Sequence, residues 1–599
     1  MTDLNNHCLI SLYISGIIVL ILSYIYRDYI LSKNPYEYII GIIAKIVDIF
    51  RPEKRYEAII GIDFGSSFSG YSIIFDSVKD LGNDDNYKII SSEFIMFEEP
   101  KRGLMIGKES HGFMLNDKNV FSDKLYFRRF KKNLNPAIRN YNFVNATYPT
   151  DKILELKTLI YHYLELIKID IYKNSMIKNL NRAKFKWIIT VPALWDVKGK
   201  EIMKKAAYDA EMYDCEIILE PEASSLSIFQ GKDIDKELIK KGKSFLIVDV
   251  GGYTSDFSAN KIIEDHNLEQ LTIPMSFVHG SNQINDEMIN LVKTIIGEDK
   301  FNLCEKNNFP GYLKFLDEVE EKKLQINIVN ETEDFKLEIK YFQINCEGYL
   351  SKKCEGTYKN NKIVYNNNYI YIPNKIIQEI IKNLSENILK EINFVISRMK
   401  NTPDAIFLTG GFSSNLIFQD KIKKFFDGSN SEVLFLKDPQ ETVMRGASIF
   451  GLNPTVIKKR IIPITIAVES YEIIEDNQPC IDKYNDTEGK IRCRAYVQFF
   501  QRGNSISTEK SIEKKIYPIN EEYIDVYYAY NNILNDKNKR ELGKVKLPTS
   551  EFSDIPLEKK TELIVNMKFT NYINIAITDN LNNILNISLL SYPTQEKID

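Results

Sequence analysis

The sequence predicts an α/β protein with two related lobes, a β-rich C-terminal domain and an N-terminal transmembrane helix. Two strand–turn–strand motifs of the same pattern, in residues 58–75 and 244–259, predict the related lobes. Short segments with alternating apolar and polar residues after position 461 predict the β-rich domain. An uncharged run at residues 8–26 predicts the helix. At 599 residues, the chain is too long to fold around a single core.

Residues 8–26 have the length and composition of a membrane-spanning helix. A helix of this length would span roughly 28 Å, close to the ~30 Å hydrocarbon core of a bilayer. We therefore expect a membrane anchor, with a signal peptide or a buried core helix as the alternatives. A signal peptide would need basic residues before the run and small residues at a cleavage site. Asp3 and His7 precede the run instead, and bulky residues follow it.

Basic residues follow the apolar run, and none precedes it. The positive-inside rule then predicts a single-pass protein whose N-terminus is outside or lumenal and whose remaining chain is cytosolic. Residues 39–50 form a shorter apolar stretch that contains Lys45 and Asp48. We expect this stretch to be an interfacial amphipathic helix or a linker helix, within an anchor unit of residues 1–55.

Charge and cysteine usage limit the classes of partner. The net charge is −4, from 78 basic and 82 acidic side chains, so the chain lacks the basic excess of nucleic-acid-binding proteins. We expect no nucleic-acid partner. The seven cysteines are scattered and form no CxxC pattern. This spacing predicts free thiols in a reducing compartment, with neither disulfides nor a zinc site.

The two strand–turn–strand motifs align residue by residue, with Asp63 matching Asp249 and Gly65 matching Gly251. A hairpin that recurs in register indicates a duplicated architecture with two facing lobes. Small turn residues expose backbone N–H groups that can bind phosphate. A carboxylate beside phosphate requires a cation between them, held directly or through water. Two ordinary β-hairpins are the alternative, and the repetition disfavours it.

A third glycine-containing segment, AIFLTGGFS at residues 405–413, has the pattern of a nucleotide-contacting turn. An apolar strand leads into Gly410 and Gly411, and a helix is predicted from about residue 416. A glycine pair at a strand–helix junction allows a base or ribose to lie against the backbone. The chain has no GxxxxGK[ST] Walker loop, and no GxGxxG follows a strand, which argues against a Rossmann fold.

The duplicated Asp-x-Gly hairpins and the late Gly-Gly pair resemble the phosphate-1, phosphate-2 and adenosine motifs of the actin-like ATPase superfamily. WIITVPALWDVKGKEIMKKAAYDAEM at residues 187–212 and IILEPEASSLSIF at 217–229 resemble the heat shock protein 70 family, in its divergent heat shock 70 kDa protein 12-like branch. The resemblance implies an actin-like, duplicated ribonuclease H-like nucleotide-binding domain over residues 56–454. Its lobe I would span about 56–244 and its lobe II about 245–454.

The resemblance also implies ATP or ADP as ligand, with Mg²⁺ as cofactor. Asp63 and Asp249 would orient metal-bound water without ligating the metal directly. The other implied catalytic residues are Lys131, with Lys132 as the alternative, Glu220, Thr254 and Asp256. The implied nucleotide-binding residues are Gly65, Ser66, Ser67, Phe68, Gly251, Gly252, Tyr253, Glu320, Lys323, Gly410, Gly411, Phe412 and Ser413. For Glu320 and Lys323, an ordinary charged helix is the alternative.

Four positions depart from the family pattern. Tyr253 stands where the phosphate-2 motif has its third glycine, so the turn is expected to need strain or a different φ there. Leu324 and Ser414 replace the two arginines that enclose adenine, and Gln440 replaces an aspartate. Loss of two cation–π partners would weaken nucleotide binding by about 1–2 kcal/mol or more.

The C-terminal region has the period-two pattern of an antiparallel sheet or sandwich. The resemblance implies a β-sandwich-like, substrate-binding domain over residues 455–599, able to hold unfolded client segments, and we expect no helical lid. The linker at 455–463 is basic, whereas that of typical members is acidic. We therefore do not expect the allosteric coupling between ATP binding and peptide binding that typical members perform. The alternating segments lie at residues 492–500, 522–530, 561–569 and 572–578.

Together these features predict an ATP-binding, chaperone-like protein tethered to a membrane, with slow Mg²⁺-dependent ATP hydrolysis. The first alternative is a non-hydrolysing adaptor that senses nucleotide on the same fold. The second is a small-molecule kinase of the same superfamily, which is less expected because such kinases lack the C-terminal sheet region.

Overall fold

The structure is a computed structural model that describes residues 56–594 with gaps. The predicted membrane anchor and juxtamembrane helix, residues 1–55, lie outside the described residues. Within the described part of the chain, no helix is both long and apolar enough to cross a membrane. The gaps are residues 76–86, 98–103, 117–123, 136–142, 149–151, 232–233, 327–333, 344–353, 359–360, 474–482, 486–489, 520–521, 548–561 and 579–583.

The first lobe is built on a five-stranded sheet of order β10-β9-β1-β2-β3, with a smaller sheet β5-β4-β6 and a hairpin β7-β8 beside it. Apolar side chains of the central strands pack against α2 and α3 to form its core. The elements are β1 (Ala58–Asp63), β2 (Phe68–Phe75), β3 (Tyr87–Ser91), β4 (Glu93–Phe97), β5 (Leu104–Ile106), α1 (Lys108–Asn116), β6 (Lys124–Arg128), β7 (Phe143–Asn145), β8 (Ile153–Glu155), α2 (Leu156–Tyr172), β9 (Phe185–Val191), α3 (Val197–Asp209), β10 (Cys215–Leu219) and α4 (Glu220–Ser227).

The second lobe repeats this plan. Its central sheet contains β20-β19-β11-β12-β13, and a separate four-stranded sheet has the order β15-β18-β17-β16. The elements are β11 (Ser244–Val250), β12 (Ser255–Ile262), β13 (Leu268–Gln270), β14 (Met275–Phe277), α5 (Asn282–Ile296), α6 (Glu298–Asn307), α7 (Phe309–Gln325), β15 (Phe335–Glu338), α8 (Lys340–Gln343), β16 (Cys354–Tyr358), β17 (Asn361–Asn366), β18 (Tyr369–Ile372), α9 (Asn374–Ile396), β19 (Ala405–Thr409), α10 (Leu416–Phe426), β20 (Glu432–Phe435) and α11 (Thr442–Leu452).

The strand pairing confirms the α/β class and is the same in both lobes. β1 pairs antiparallel with β2 and parallel with β9, and β11 pairs antiparallel with β12 and parallel with β19. Asp63 therefore lies opposite Thr190, and Asp249 lies opposite Thr409. Each aspartate stands at the carboxyl end of a central strand, where ligands of open α/β sheets bind.

The C-terminal region contains two antiparallel sheets, of order β23-β24-β22-β27-β28 and β26-β29-β30-β31, with a shared apolar core. β21 and β25 instead extend the central sheet of the second lobe beyond β13. The strands are β21 (Ile457–Ile461), β22 (Thr465–Ile473), β23 (Lys483–Asn485), β24 (Ile491–Phe500), β25 (Ser505–Ser507), β26 (Ser511–Ile516), β27 (Tyr523–Ala529), β28 (Arg540–Lys546), β29 (Leu563–Phe569), β30 (Ile573–Thr578) and β31 (Ile584–Leu590).

α11 packs against α4 and β1, so it joins the first lobe although the predicted lobe boundary places it in the second. A Cβ atom on Gly446 would lie 1.7 Å from the carbonyl oxygen of Ala223, so only glycine permits this helix contact. The boundary at residue 454 stays a prediction.

The prediction that every cysteine is a free thiol is wrong for two of them. Cys304 and Cys493 are each disulfide-bonded, whereas Cys215 is free. Sequence spacing carries no information on which thiols approach to bonding distance in the folded chain, because pairing depends on Cα separation in space.

Candidate functional site

A cavity of about 320 Å³ lies between the two lobes. All the predicted site residues except Ser413 line it. Ser413 is buried, and its hydroxyl donates to the carbonyl oxygen of Gly410 at 2.8 Å. The predicted residues that line it are Asp63, Gly65, Ser66, Ser67, Phe68, Lys131, Glu220, Asp249, Gly251, Gly252, Tyr253, Thr254, Asp256, Glu320, Lys323, Gly410, Gly411 and Phe412.

The turns of the two hairpins face each other across this cavity. A Cβ atom on Gly252 would lie 2.5 Å from the hydroxyl oxygen of Ser67, and Asn282 Nδ2 donates to that hydroxyl at 3.3 Å. Within each turn one predicted phosphate-binding N–H is already used. Gly65 N–H donates to Ser69 Oγ at 3.2 Å, and Gly251 N–H donates to the carbonyl of Thr254 at 2.9 Å. The N–H groups left to contact a phosphate are therefore those of the neighbouring residues in each turn.

Lys131 and Glu220 form a buried ion pair at the charged end of the cavity. Burial opposes the charge of Lys131, but Glu220 and Asp63 hold the pKa of its ammonium above its ordinary value. Lys131 sits in the short 3₁₀ turn Phe130–Leu134, whereas its neighbour Lys132 is exposed. The fold therefore brings Lys131, rather than Lys132, to the cavity.

Three aspartates surround this pair, each held by a hydroxyl donor. Thr190 Oγ1 donates to Asp63 at 3.2 Å and Ser224 Oγ donates to Asp249 at 3.0 Å. The hydroxyl of Ser276 donates to the carboxylate of Asp256. These bonds fix where the carboxylate oxygens point before any ligand binds.

The pKa values of these aspartates are raised. Burial raises the pKa of Asp63 to about 7, with Lys131 opposing the rise. Burial and the charge of Glu220 raise the pKa of Asp256 to about 7. Burial, together with Asp256 and Glu220, also holds the pKa of Asp249 well above its ordinary value. Four carboxylates and one lysine thus lie in one cluster, which is a surplus of negative charge that a divalent cation would neutralise.

The charge surplus fits Mg²⁺ held through water. Within the described residues, no group of three or more His, Cys, Asp or Glu side chains is arranged to hold a metal ion directly. Carboxylates that reach a cation through its water shell suit Mg²⁺, which dehydrates reluctantly and keeps several waters. Asp63 and Asp249, at the two strand ends, would accept hydrogen bonds from that shell.

The cavity lining also includes the residues that the resemblance implies near the ribose and the base. Glu320 and Lys323 form an ion pair at 2.7 Å on α7, and Asn285 Nδ2 donates to Glu320 at 2.7 Å. Leu324, which directly follows Lys323, is 62% exposed, and Ser414 and Gln440 also line the cavity. No arginine lines the cavity in the part of the chain that the structure describes.

The expected backbone strain at Tyr253 does not occur. Tyr253 is not among the described residues with positive φ, and neither Gly251 nor Gly252 adopts a positive φ. Because the turn uses only ordinary backbone conformations, a residue with a Cβ is accommodated at this position.

Sequence reasoning missed several cavity residues. Ser281 N–H donates to the carbonyl of Gly251 at 3.0 Å, which ties the start of α5 to the second turn. Gly280, just before α5, was the available signal, because a glycine permits close approach of two backbone segments. The other missed lining residues are Ser69, Gly70, Ile89, Asn415, Pro439 and Val443.

Aromatic and charged contacts also join the lobes outside the cavity. Phe309 of the second lobe stacks on Tyr148 of the first, with ring centroids 4.4 Å apart. His111 on α1 lies 2.7 Å from Asp317 on α7 and 2.8 Å from Glu93. Hydrogen bonds to Asp317 and Glu93 raise the pKa of His111 to about 9, so this cross-lobe ion pair is charged at neutral pH.

The basic linker forms a buried ion pair with the first lobe. Arg460 on β21 pairs with Glu222 on α4, and both side chains are almost fully buried. Gln270 Nε2 donates to Glu222 at 2.6 Å, and Lys200 Nζ donates to the carbonyl of Tyr592 at 2.7 Å. The C-terminal region is therefore joined to the helix that carries Glu220.

Comparison with known proteins identifies relatives over most of the chain. No protein-family profile matches it. Human heat shock 70 kDa protein 12A is 20% identical over 603 residues, covering 86% of this chain and 88% of the relative. Human heat shock 70 kDa protein 12B is 18% identical and covers 70% and 73%. The chaperone protein HscA of Buchnera aphidicola is 24% identical and covers 69% and 63%. These similarities confirm the resemblance to the heat shock protein 70 family and to its heat shock 70 kDa protein 12 branch.

Proposed function

We propose that this chain is a chaperone-like protein that binds Mg²⁺·ATP between its two lobes and hydrolyses it slowly. One observation carries the proposal: the duplicated turns, the Lys131–Glu220 pair and three raised-pKa aspartates line a single cavity. The similarity to heat shock 70 kDa proteins and to distant chaperones of the same family supports the nucleotide as ligand.

Each side chain has a proposed part in hydrolysis. N–H groups of the two turns bind the phosphates, and Glu320 and Lys323 contact the ribose. Lys131 donates to the transferring phosphoryl group, where its positive charge offsets developing negative charge. Asp256, whose pKa is raised to about 7 by burial and by Glu220, accepts a proton from the attacking water. Bound Mg²⁺ would neutralise phosphate charge at the carboxylates.

The C-terminal sandwich is the proposed site for unfolded client segments. Its two antiparallel sheets enclose their own apolar core. Similarity to proteins named chaperones supports this proposal. The second candidate is a nucleotide-sensing adaptor without hydrolysis. Leu324 and Ser414 favour it, since these lining residues give adenine no cation to stack on.

Calorimetry on the full chain in detergent tests the proposal. We expect Mg²⁺·ATP to bind with micromolar to low-millimolar affinity and a single-turnover assay to detect slow release of phosphate. No binding at millimolar ATP would exclude both candidates. Binding without turnover would select the adaptor, and turnover would select the ATPase.

We also propose that residues 1–55 anchor the protein in a membrane. The uncharged run at 8–26 supports the anchor, and the basic residues after it favour a cytosolic position for the remaining chain. The disulfide-bonded Cys304 and Cys493 favour an oxidising compartment instead.

A glycosylation reporter at the C-terminus separates the two orientations. The positive-inside arrangement leaves the reporter unmodified, whereas modification would place the chain in the lumen. Alkaline extraction of membranes checks the anchor itself, because a deletion of residues 8–26 is expected to release the protein into the soluble fraction. A deletion variant that remains in the membrane pellet would contradict the anchor.

A further inference from the structure

The side chain of Tyr253 joins the two lobes at the charged end of the cavity. Tyr253 lies in the turn between β11 and β12 and lines the cavity. Asn135 of the first lobe donates from Nδ2 to the Tyr253 hydroxyl oxygen at 3.4 Å. Asn135 is itself 3% exposed, so its amide is held in place by the surrounding chain.

The position of Asn135 fixes which end of the cavity the hydroxyl occupies. Asn135 directly follows the turn Phe130–Leu134, which carries Lys131 and its ion pair with Glu220. The Tyr253 hydroxyl therefore lies at the end where the phosphate chain of a nucleotide would terminate.

Hydrogen bonds hold the backbone before Tyr253, and the N–H of Gly251 closes the turn by donating to the carbonyl of Thr254 at 2.9 Å. Asn282 N–H donates to the carbonyl of Gly252 at 2.8 Å, and Ser281 N–H donates to that of Gly251 at 3.0 Å. The amide of Asn135 orients the far end of the side chain. A side chain held at its root and at its tip loses little further conformational entropy when it contacts a ligand.

The hydroxyl has a proton to donate. A phenol oxygen both accepts and donates hydrogen bonds. Because this oxygen accepts from Asn135, the O–H remains for another partner, and among the described residues it has no acceptor. Phosphate oxygens are charged acceptors, and hydrogen bonds to charged groups are about twice as strong as those between neutral groups.

We propose that the Tyr253 hydroxyl donates a hydrogen bond to a terminal-phosphate oxygen of a bound nucleoside triphosphate, so that the site distinguishes triphosphate from diphosphate. This inference rests on the proposed function. A glycine at this position would offer only its backbone N–H, whereas tyrosine adds a side-chain donor that reaches further along the phosphate chain. Because Asn135 belongs to the other lobe, the same contact links the two lobes in the triphosphate complex.

Tyr253→Phe tests the inference, since it removes one oxygen and keeps the ring. The affinities of the full-length protein for Mg²⁺·ATP and Mg²⁺·ADP are measured by calorimetry. We expect the variant to lose about tenfold or more in ATP affinity and less than about twofold in ADP affinity, as for a lost bond to a charged group. Equal losses for both nucleotides, or no loss for either, would overturn the inference.

Two further variants complete the experiment. Tyr213→Phe alters a tyrosine that is 67% exposed and is the matched control, expected to change neither affinity. Asn135→Ala removes the group that orients the hydroxyl, and we expect it to lower the preference for ATP by about threefold while ADP binding is retained. If the wild-type protein binds neither nucleotide, the proposed function itself is overturned. If the wild type binds ATP but Tyr253→Phe leaves the ratio of ATP affinity to ADP affinity unchanged, only this inference is overturned.

Discussion

Lys131→Met is expected to lower single-turnover ATP hydrolysis at least about a hundredfold and the free energy of unfolding by about 3 kcal/mol. The rate falls because no other described side chain at this end of the cavity can supply a positive charge to the transferring phosphoryl group. The stability falls because Glu220, which is 7% exposed, is left as a buried carboxylate without its partner. Rapid-quench kinetics and urea unfolding measure the two effects.

Lys132→Met is the matched control, because this neighbouring lysine is exposed and does not line the cavity. Its hydrolysis rate and unfolding midpoint should stay near those of the wild type. If the two substitutions changed the hydrolysis rate and the unfolding midpoint equally, the proposed role of Lys131 in hydrolysis would be wrong. A Lys131 variant that loses stability but keeps its hydrolysis rate would limit this lysine to a structural role.

Asp63→Asn is expected to stabilise the ligand-free protein at pH 8 by about 2 kcal/mol while it weakens Mg²⁺-dependent ATP binding at least about tenfold. Burial raises the pKa of Asp63 to about 7 from an ordinary value of 3.8, although Lys131 opposes the rise. The folded state therefore binds more protons than the unfolded state between about pH 4 and pH 7, so stability falls as the pH rises through this range. Asparagine keeps the shape and the acceptor for Thr190 but cannot ionise.

Thermal unfolding at pH 5 and pH 8 measures this effect, with and without Mg²⁺·ATP. The stability gain of Asp63→Asn should be clearly larger at pH 8, where the carboxyl is ionised in both states, than at pH 5, where it is ionised only in the unfolded state. Asp299→Asn, in the exposed first turn of α6, is the control and should show no such dependence. A gain of equal size at both pH values would contradict the raised pKa.

The hairpin residues could be predicted from sequence because their pattern is local and occurs twice. Strand, aspartate and glycine follow one another directly at Asp63 and Asp249, so no tertiary information is needed to find them. The facing arrangement of the lobes follows from the repetition itself. That Glu320 and Lys323 line the cavity could also be predicted, although only from the resemblance to the heat shock protein 70 family.

What could not be predicted depends on contacts between distant segments. Val443 and Ser281 reach the cavity only because α11 and α5 pack beside it. Ser413 points away from the cavity because the 3₁₀ turn after Gly410 directs its hydroxyl to the backbone, and the letters GGFS do not specify that direction. The disulfide bonds of Cys304 and Cys493 likewise depend on proximity in space.

The joining of β21 and β25 to the central sheet has a consequence for where the chain can be cut. A protein that ended at residue 454 would expose the backbone groups of β13 that now pair with β21. It would also leave Glu222 buried without Arg460. An open strand edge invites association with other chains, and a buried carboxylate without its cation destabilises the fold. β21 and β25 thus belong to the central sheet of the second lobe, and a cut at residue 454 would divide that sheet.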